Sequence, residues 1–166
     1  MPEQRLSADD VRQLYDRHGA ALLLYARGFV ADAGAAEDLV HGVFLNLLRT
    51  RPKVREAPAA YLYRAVKNAA LNLQRNRARE SPLPEQEVWF THQGGGDREA
   101  GLALQSALSE LPTEQREAVV MRIWSGMTLE EVAEATGVPL STAASRYRYA
   151  LEKLRERLKP NERNDE

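Results

Sequence analysis

Apolar residues in the first part of the chain recur at steps of three and four, the spacing of one face of an α-helix. Val11, Leu14, Leu22, Tyr25 and Phe29 follow this rule and predict a first helix from about residue 8 to residue 29. Ser7, with Asp10 three positions on, has the form of a capping box. The chain therefore opens on an amphipathic helix with a defined start.

Two more helices follow by the same spacing. Asp32 is a suitable cap for a helix over 33–49 with a wide apolar stripe, and Pro58 suits the first turn of a third helix. The third helix carries Leu62, Val66 and Leu73 on one face and ends in the basic segment 75–79. It therefore has one apolar and one basic face.

A break without helical period covers residues 81–96, where prolines and three consecutive glycines are typical of a linker. We predict an N-terminal domain over 1–80, a flexible linker over 81–96 and a C-terminal domain over 97–166. Trp89 and Phe90 lie inside this linker, and whether they dock on a domain or a partner stays open.

The second half is predicted to hold four helices. They cover about 97–108, 113–124, 129–136 and a last segment that begins at Ser141 or Thr142 and runs to about Leu158. Thr128 caps the third of these, and Gly137 supplies the left-handed residue at its end. A helix, a turn with glycine and a second helix form a helix-turn-helix.

Composition supports an all-α fold of two small helical domains. The 166 residues contain 43% hydrophobic and 7% aromatic residues and no cysteine. This is typical of a folded protein with two modest cores in a reducing compartment, and we expect a cytoplasmic protein without membrane insertion. The histidines at 18, 41 and 92 are scattered, so we predict no enzyme, metal site or cofactor.

The net charge of −1 hides a strong segregation of charge. Between Arg51 and Arg79, eight basic residues face Glu56 alone, whereas six carboxylates face two arginines between Glu110 and Glu134. The segment 146–159 is basic again. Two basic segments in a nearly neutral chain predict two separate contacts with nucleic acid.

The start of the last helix is the best candidate for contact with DNA bases. A recognition helix enters the major groove with its N-terminal end, where donors meet the base edges. The candidates there are Ser141, Thr142, Ser145, Arg146 and Arg148. A helical hairpin with a merely solvated basic face is the alternative.

Long segments of the chain resemble the extracytoplasmic-function sigma factors of the sigma-70 family. The resemblance is carried by LYDRHGAALLLYARGFVADAGAAEDLVHGVFLNLLR, by APAAYLYRAVKNAALNLQRNRAR and by LSELPTEQREAVVMRIWSGMTLEEVAEATGVPLSTAASRYRYALEKLRERL. It covers about residues 10–80 and 100–158 in the order that the family has. The resemblance implies a promoter-specificity subunit of RNA polymerase.

On this resemblance, the second helix docks on the clamp helices of the largest subunit of core RNA polymerase. The matching residues are Asp38, Leu39, Val40, Val43, Phe44 and Leu47. The stripe also fits core packing, which we favour for Val40, Val43, Phe44 and Leu47 individually.

The resemblance also places the melted minus-ten strand of promoter DNA on the polar face of the third helix. The matching residues are Tyr61, Arg64, Lys67 and Asn68, followed by the basic run that includes Arg75. The loop 50–57 matches the segment that holds a flipped base, and the recognition helix would bind the minus-thirty-five element. A solvated basic face is the alternative for the third helix.

Five positions depart from the family pattern: His41, Gly42, Tyr61, Ala144 and Tyr149. The changes at His41 and Ala144 keep open a degenerate sigma-like protein that binds a partner without recognising promoters. A stand-alone helix-turn-helix regulator, whose first half only dimerises, is a further alternative. The resemblance also implies an anti-sigma partner that wedges against both domains, with the linker permitting a compact inactive arrangement.

Overall fold

The computed structural model describes residues 4–30, 32–55, 57–80 and 98–159. An N-terminal helix group contains α1 (Ala8–Arg27), α2 (Ala33–Thr50) and α3 (Pro58–Glu80). A C-terminal helix group contains α4 (Arg98–Glu110), α5 (Thr113–Val119), a π-helical turn (Val120–Trp124), α6 (Leu129–Thr136) and α7 (Leu140–Arg157). The all-α prediction is confirmed. The predicted linker 81–96, with Trp89 and Phe90, lies outside the described residues.

The predicted helix starts are confirmed at three positions. Ser7 accepts a hydrogen bond from the backbone N–H of Asp10, whose carboxylate accepts one from the N–H of Ser7 in return. Thr128 and Glu131 form the same reciprocal pair at the start of α6, and Asp32 caps α2 through the N–H of Gly34. These side chains satisfy N–H groups that have no partner inside the helix.

The start of α7 differs from the prediction. Neither Ser141 nor Thr142 caps this helix, because it begins at Leu140, directly after Pro139. Proline fixes its own φ near the helical value and has no N–H that would need a cap. Helix α7 therefore begins one residue before Ser141 and has no side-chain cap.

Two short strands were not predicted. Gln4–Arg5 (β1) pairs antiparallel with Lys53–Val54 (β2), and the guanidinium of Arg5 donates to the carbonyl of Arg51 at 3.2 Å. Arg51 ends α2 in the left-handed conformation, with φ of 42°. The N-terminal strand thus ties down the loop between α2 and α3.

The buried residues of both groups form one continuous cluster, whereas composition predicted two separate cores. Helix α3 packs against α6, and α1 packs against the π-helical turn. Edge-to-face contacts of Tyr25 with Tyr63 and Phe29 stiffen the N-terminal side of this cluster. The expectation of two cores fails because the surface between the groups is itself buried.

None of the described helices is both long enough and apolar enough to cross a bilayer.

Two glycines allow a matched test of the backbone. A Cβ at Gly137 or at Gly42 would meet no atom within 4 Å, but Gly137 has φ of 69° and Gly42 lies inside α2. We expect Gly137→Ala to destabilise the fold by about 1–2 kcal/mol through backbone strain. Gly42→Ala should stabilise it by about 0.5–1 kcal/mol. Urea unfolding checks both values, and changes of the same sign in the two variants would contradict this account.

Candidate nucleic-acid interface

The predicted residues of the third helix lie along one side of α3. Arg64, Asn68 and Arg75 are exposed, and Tyr61 and Lys67 are half-buried. Residues at steps of three and four share a face of a helix, so the five side chains form one strip. We call this strip the α3 polar face.

Two cations of the α3 polar face contact the C-terminal helix group. The Nζ atom of Lys67 lies 2.8 Å from Oε1 of Glu117, and the guanidinium of Arg64 donates to the carbonyls of Glu134 and Ala135. Arg75 donates to the side-chain carbonyl of Asn72 on its own helix. In this arrangement part of the predicted DNA-binding face is covered by the second half of the chain.

The carboxylate of Glu117 is inserted between α1 and α3. Its side chain is only 3% exposed, and it lies beside both Lys67 and Tyr25. Burial raises the pKa of the Tyr25 phenol, and the nearby Glu117 charge raises it further. The phenol therefore stays protonated next to the carboxylate. Sequence reasoning missed this role, because Glu117 stood among other acidic residues of the segment.

A second buried polar cluster joins the groups through Ser125. Its hydroxyl is hydrogen bonded to the Tyr63 hydroxyl, and its oxygen lies 3.1 Å from Nδ1 of His18. The π-helical turn positions Ser125, whose N–H donates to the carbonyl five residues back, at Val120. Turns of this kind are frequent at functional sites. His18 lies four residues from both Leu14 and Leu22, on the apolar face of α1, and this spacing is the signal that could have indicated its burial.

A third contact joins Arg116 of α5 to the end of α1. The guanidinium donates to the carbonyl of Gly28 at 3.1 Å. A Cβ at Gly28 would come within 3.0 Å of Nε of Arg116. The close approach of this side chain therefore depends on the missing Cβ of glycine.

The predicted recognition residues lie at the start of α7. Ser141 and Arg148 are exposed, whereas Thr142, Ser145 and Arg146 are half-buried. The Ser145 hydroxyl donates to the Ser141 carbonyl at 2.9 Å. The helix before this one is held by the confirmed cap at Thr128 and by Gly137 in the left-handed conformation. The helix-turn-helix geometry is therefore present.

One departure from the family pattern has a visible contact. The guanidinium carbon of Arg148 lies 5.3 Å from the centre of the Tyr149 ring, within the range of a cation–π contact. Tyr149 carries no charge itself, but its ring contacts the neighbouring Arg148 cation at the surface of α7.

The six residues predicted to bind polymerase divide by burial. Val40, Phe44 and Leu47 lie in the core, as their spacing allowed, and Leu39 and Val43 are half-buried against it. Asp38 is exposed. Of the six, Asp38 alone is fully accessible in this arrangement.

The outward stripe of α2 carries two apolar residues that were not predicted to bind polymerase. Leu45 is 66% exposed and Leu48 is 43% exposed. They follow Asp38 and His41 at steps of three and four; Leu45 lies away from the core face, whereas Leu48 follows Phe44 by four residues and lies at the edge of that face. An apolar residue out of phase with the core face is the signal that could have identified Leu45.

The chain matches the family models of two sigma-70 regions. Residues 14–80 match "Sigma-70 region 2" and residues 101–154 match "Sigma-70, region 4". The ECF RNA polymerase sigma factor SigM of Mycobacterium tuberculosis is 31% identical over 136 residues, covering 81% of this chain and 69% of that protein. The sigma factor HrpL of Pseudomonas syringae pv. syringae is 28% identical, covering 96% and 92%.

Two solved structures share the fold. RpoE of Bartonella quintana, in complex with the anti-sigma factor NepR, has a TM-score of 0.74 at 24% identity and covers 93% of this chain and 99% of that one. CnrH, in complex with the cytosolic domain of CnrY, has a TM-score of 0.62 at 25% identity and covers 90% and 88%.

Burial of His18 predicts a pH-dependent stability. Desolvation lowers its pKa, Arg17 lowers it further, and Glu131 acts in the opposite direction. The unfolded chain then takes up this proton at a higher pH than the folded protein does. The contribution of His18 to the free energy of unfolding is therefore fully present above the ordinary histidine pKa of about 6.5, and it falls as the pH drops below that value.

The free energy of urea unfolding between about pH 7.5 and pH 5 checks this prediction. His18→Gln should flatten the slope in this range. His41→Gln, at an exposed position of α2, serves as the control and should keep it. Equal slopes in wild type and His18→Gln would contradict the assignment.

Proposed function

The chain belongs to the extracytoplasmic-function sigma factors of the sigma-70 family, and we propose that it directs core RNA polymerase to promoters through two separate DNA contacts. Residues 1–80 bind polymerase and the minus-ten element, residues 97–166 bind the minus-thirty-five element, and 81–96 link them. It acts in the cytoplasm as a specificity subunit and catalyses no reaction itself. The observation that carries this proposal is the ordered match to both sigma-70 regions.

The minus-ten contact is assigned to the α3 polar face. Tyr61 offers a ring for stacking on an unpaired base, the Asn68 amide can bind a base edge, and Arg64, Lys67 and Arg75 supply charge for phosphates. Asn68 and Arg75 are exposed, but Lys67 and Arg64 contact the C-terminal helix group. The minus-ten contact therefore requires the two helix groups to separate.

The minus-thirty-five contact is assigned to the start of α7. Ser141, Thr142 and Ser145 supply hydroxyl groups for base edges and phosphates, and Arg146 and Arg148 supply charge-assisted donors. Leu140 precedes them with 46% exposure, which suits a contact with a thymine methyl group. A stand-alone helix-turn-helix regulator would leave the match over 14–80 without a role.

Polymerase docking is assigned to the outward stripe of α2, with Asp38 at one end and Leu45 and Leu48 at the other. Leu39 and Val43 lie on the other edge of the core face of α2, where they are half-buried against the core. An exposed apolar strip edged by a carboxylate suits a helix-to-helix contact with the polymerase clamp. An anti-sigma factor is a second protein partner, since the similar RpoE was solved in complex with one.

Loss of promoter selection tests the two DNA contacts. With purified bacterial core polymerase and a promoter library, Asn68→Ala should relax selection in the minus-ten element and Arg146→Ala in the minus-thirty-five element. Each lost base contact should reduce discrimination by about 1–3 kcal/mol. Gln13→Ala and Arg155→Ala, at exposed positions of α1 and α7, serve as controls. If wild type binds polymerase but starts no transcript, the protein is a degenerate sigma factor.

Truncation of the exposed leucines tests polymerase docking. Leu45→Ala combined with Leu48→Ala should leave the free energy of unfolding within about 0.5 kcal/mol per position, because neither side chain belongs to the buried core. Binding to core polymerase should weaken by roughly 1–2 kcal/mol per leucine. Leu158→Ala, 41% exposed at the end of α7, is the matched control. Unchanged polymerase affinity in the double variant would refute this docking surface.

A further inference from the structure

Two cationic side chains lie side by side where the N-terminal strand pairs with the loop between α2 and α3. Arg5 of β1 is directly opposite Lys53 of β2. In the next pair of the ladder, the N–H of Leu6 donates to the carbonyl of Pro52 at 3.2 Å. Hydrogen-bonded and non-hydrogen-bonded pairs alternate in an antiparallel ladder. Arg5 and Lys53 therefore form a non-hydrogen-bonded pair, the kind in which opposite side chains come closest together.

Arg51 adds a third cation to this pair. Its carbonyl accepts a hydrogen bond from Nε of Arg5 at 3.2 Å, which leaves the two terminal nitrogens of the Arg5 guanidinium without a hydrogen bond to any described residue. The side chains of Arg5, Arg51 and Lys53 are all exposed. We call these three residues the β1–β2 cation cluster.

The β1–β2 cation cluster is unfavourable for the fold on its own. Like charges directly opposite each other destabilise a strand pair. None of the three cations forms an ion pair with a carboxylate in the part of the chain that the structure describes. Arg51 also has φ of 42°, a conformation that is unfavourable for a residue with a Cβ. A bound anion would neutralise this repulsion, so the cluster has the chemistry of an anion site.

We propose that the β1–β2 cation cluster binds phosphates of the promoter single strand, so that the N-terminal strand is part of the DNA-binding surface. The proposal rests on the proposed function, in which the third helix binds the melted minus-ten strand. Strand β1 lies before residue 14, where the match to "Sigma-70 region 2" begins. The contribution of Arg5 is therefore additional to the matched region.

The position and rigidity of the cluster favour the DNA backbone over other anions. Lys53 lies five residues before Pro58, the first residue of α3, so their Cα atoms are at most about 18 Å apart. A strand on the α3 polar face thus passes near the cluster. Leu6 and Val54 are buried and fix β1 and β2 to the core. A guanidinium and an ammonium held side by side suit the charged oxygens of a phosphodiester.

Removal of single charges tests the site in the full chain bound to core polymerase, with a promoter whose minus-ten region is already melted. Lys53→Gln and Arg51→Gly should each weaken DNA binding by roughly threefold or more. Each should also lower the slope of log affinity against log salt concentration by about 0.7. Arg155→Gln, at an exposed position of α7, removes the same charge and should change neither quantity.

Urea unfolding of the same variants distinguishes a binding site from a structural role. Both variants should be as stable as wild type or more stable. Lys53→Gln removes the repulsion with Arg5, and glycine at position 51 adopts the left-handed conformation without strain. Weaker DNA binding that accompanies an equal loss of stability would show a structural role and overturn the proposal.

A neutral analogue of the phosphate identifies the partner of the cluster. Methylphosphonate would replace one phosphate at a time along the melted strand. At one position or more, this change should weaken wild-type binding as much as Lys53→Gln does, and it should have little effect on Lys53→Gln itself. Additive losses at every position would overturn the proposal. Weaker binding to core polymerase with unchanged affinity for DNA would also overturn it, because the cluster would then bind an acidic protein surface.

Promoter selection separates this proposal from the proposed function. Phosphate contacts carry no sequence information, so Lys53→Gln should keep the minus-ten selection that Asn68→Ala relaxes. If Asn68→Ala relaxes selection while the cluster variants bind DNA like wild type, only the phosphate site fails. If neither change has any effect, the minus-ten assignment fails with it.

Discussion

The ion pair between the buried Glu117 carboxylate and Lys67 specifies how the two helix groups pack on each other. A charge that is 97% removed from solvent is strongly unfavourable unless it is paired and hydrogen bonded, and Glu117 reaches this state only where α5 meets both α1 and α3. The same packing brings Ser125 to Tyr63 and the end of α6 to Arg64. The continuous core follows from the same docking.

Such an ion pair adds little to stability when compared with an apolar contact of the same size, but it is specific in its partners. An apolar interface would hold the helix groups together without distinguishing one cation from another. Glu117 instead selects a cation on the face that we assign to promoter DNA. The ion pair between Lys67 and Glu117 thus joins the acidic segment of the second half to the basic segment of the first half.

What could be predicted from the sequence was local. The helices and the caps at Ser7, Asp32 and Thr128 depend on residues within one turn, and each was found where the pattern placed it. Helix α7 begins at Leu140, directly after Pro139, one residue before the earlier of the two predicted starts. The hydrogen-bond partner of His18 could not be predicted, because Ser125 is 107 positions away along the chain. The strands of two residues are too short to show a period, and the exposure of Leu45 depends on which face of α2 the core takes.

The distance between the two helix groups during initiation decides whether the minus-ten contact requires them to separate. Dyes at Gln13→Cys and Glu152→Cys would be measured in the free protein and in a complex with core polymerase that is making RNA from a selected promoter. We predict high energy transfer in the free protein and low transfer in the transcribing complex, because Lys67 and Arg64 must leave Glu117 and α6 to reach the strand. Energy transfer that stays high in a complex that initiates RNA would show that the two helix groups do not separate when the minus-ten contact forms.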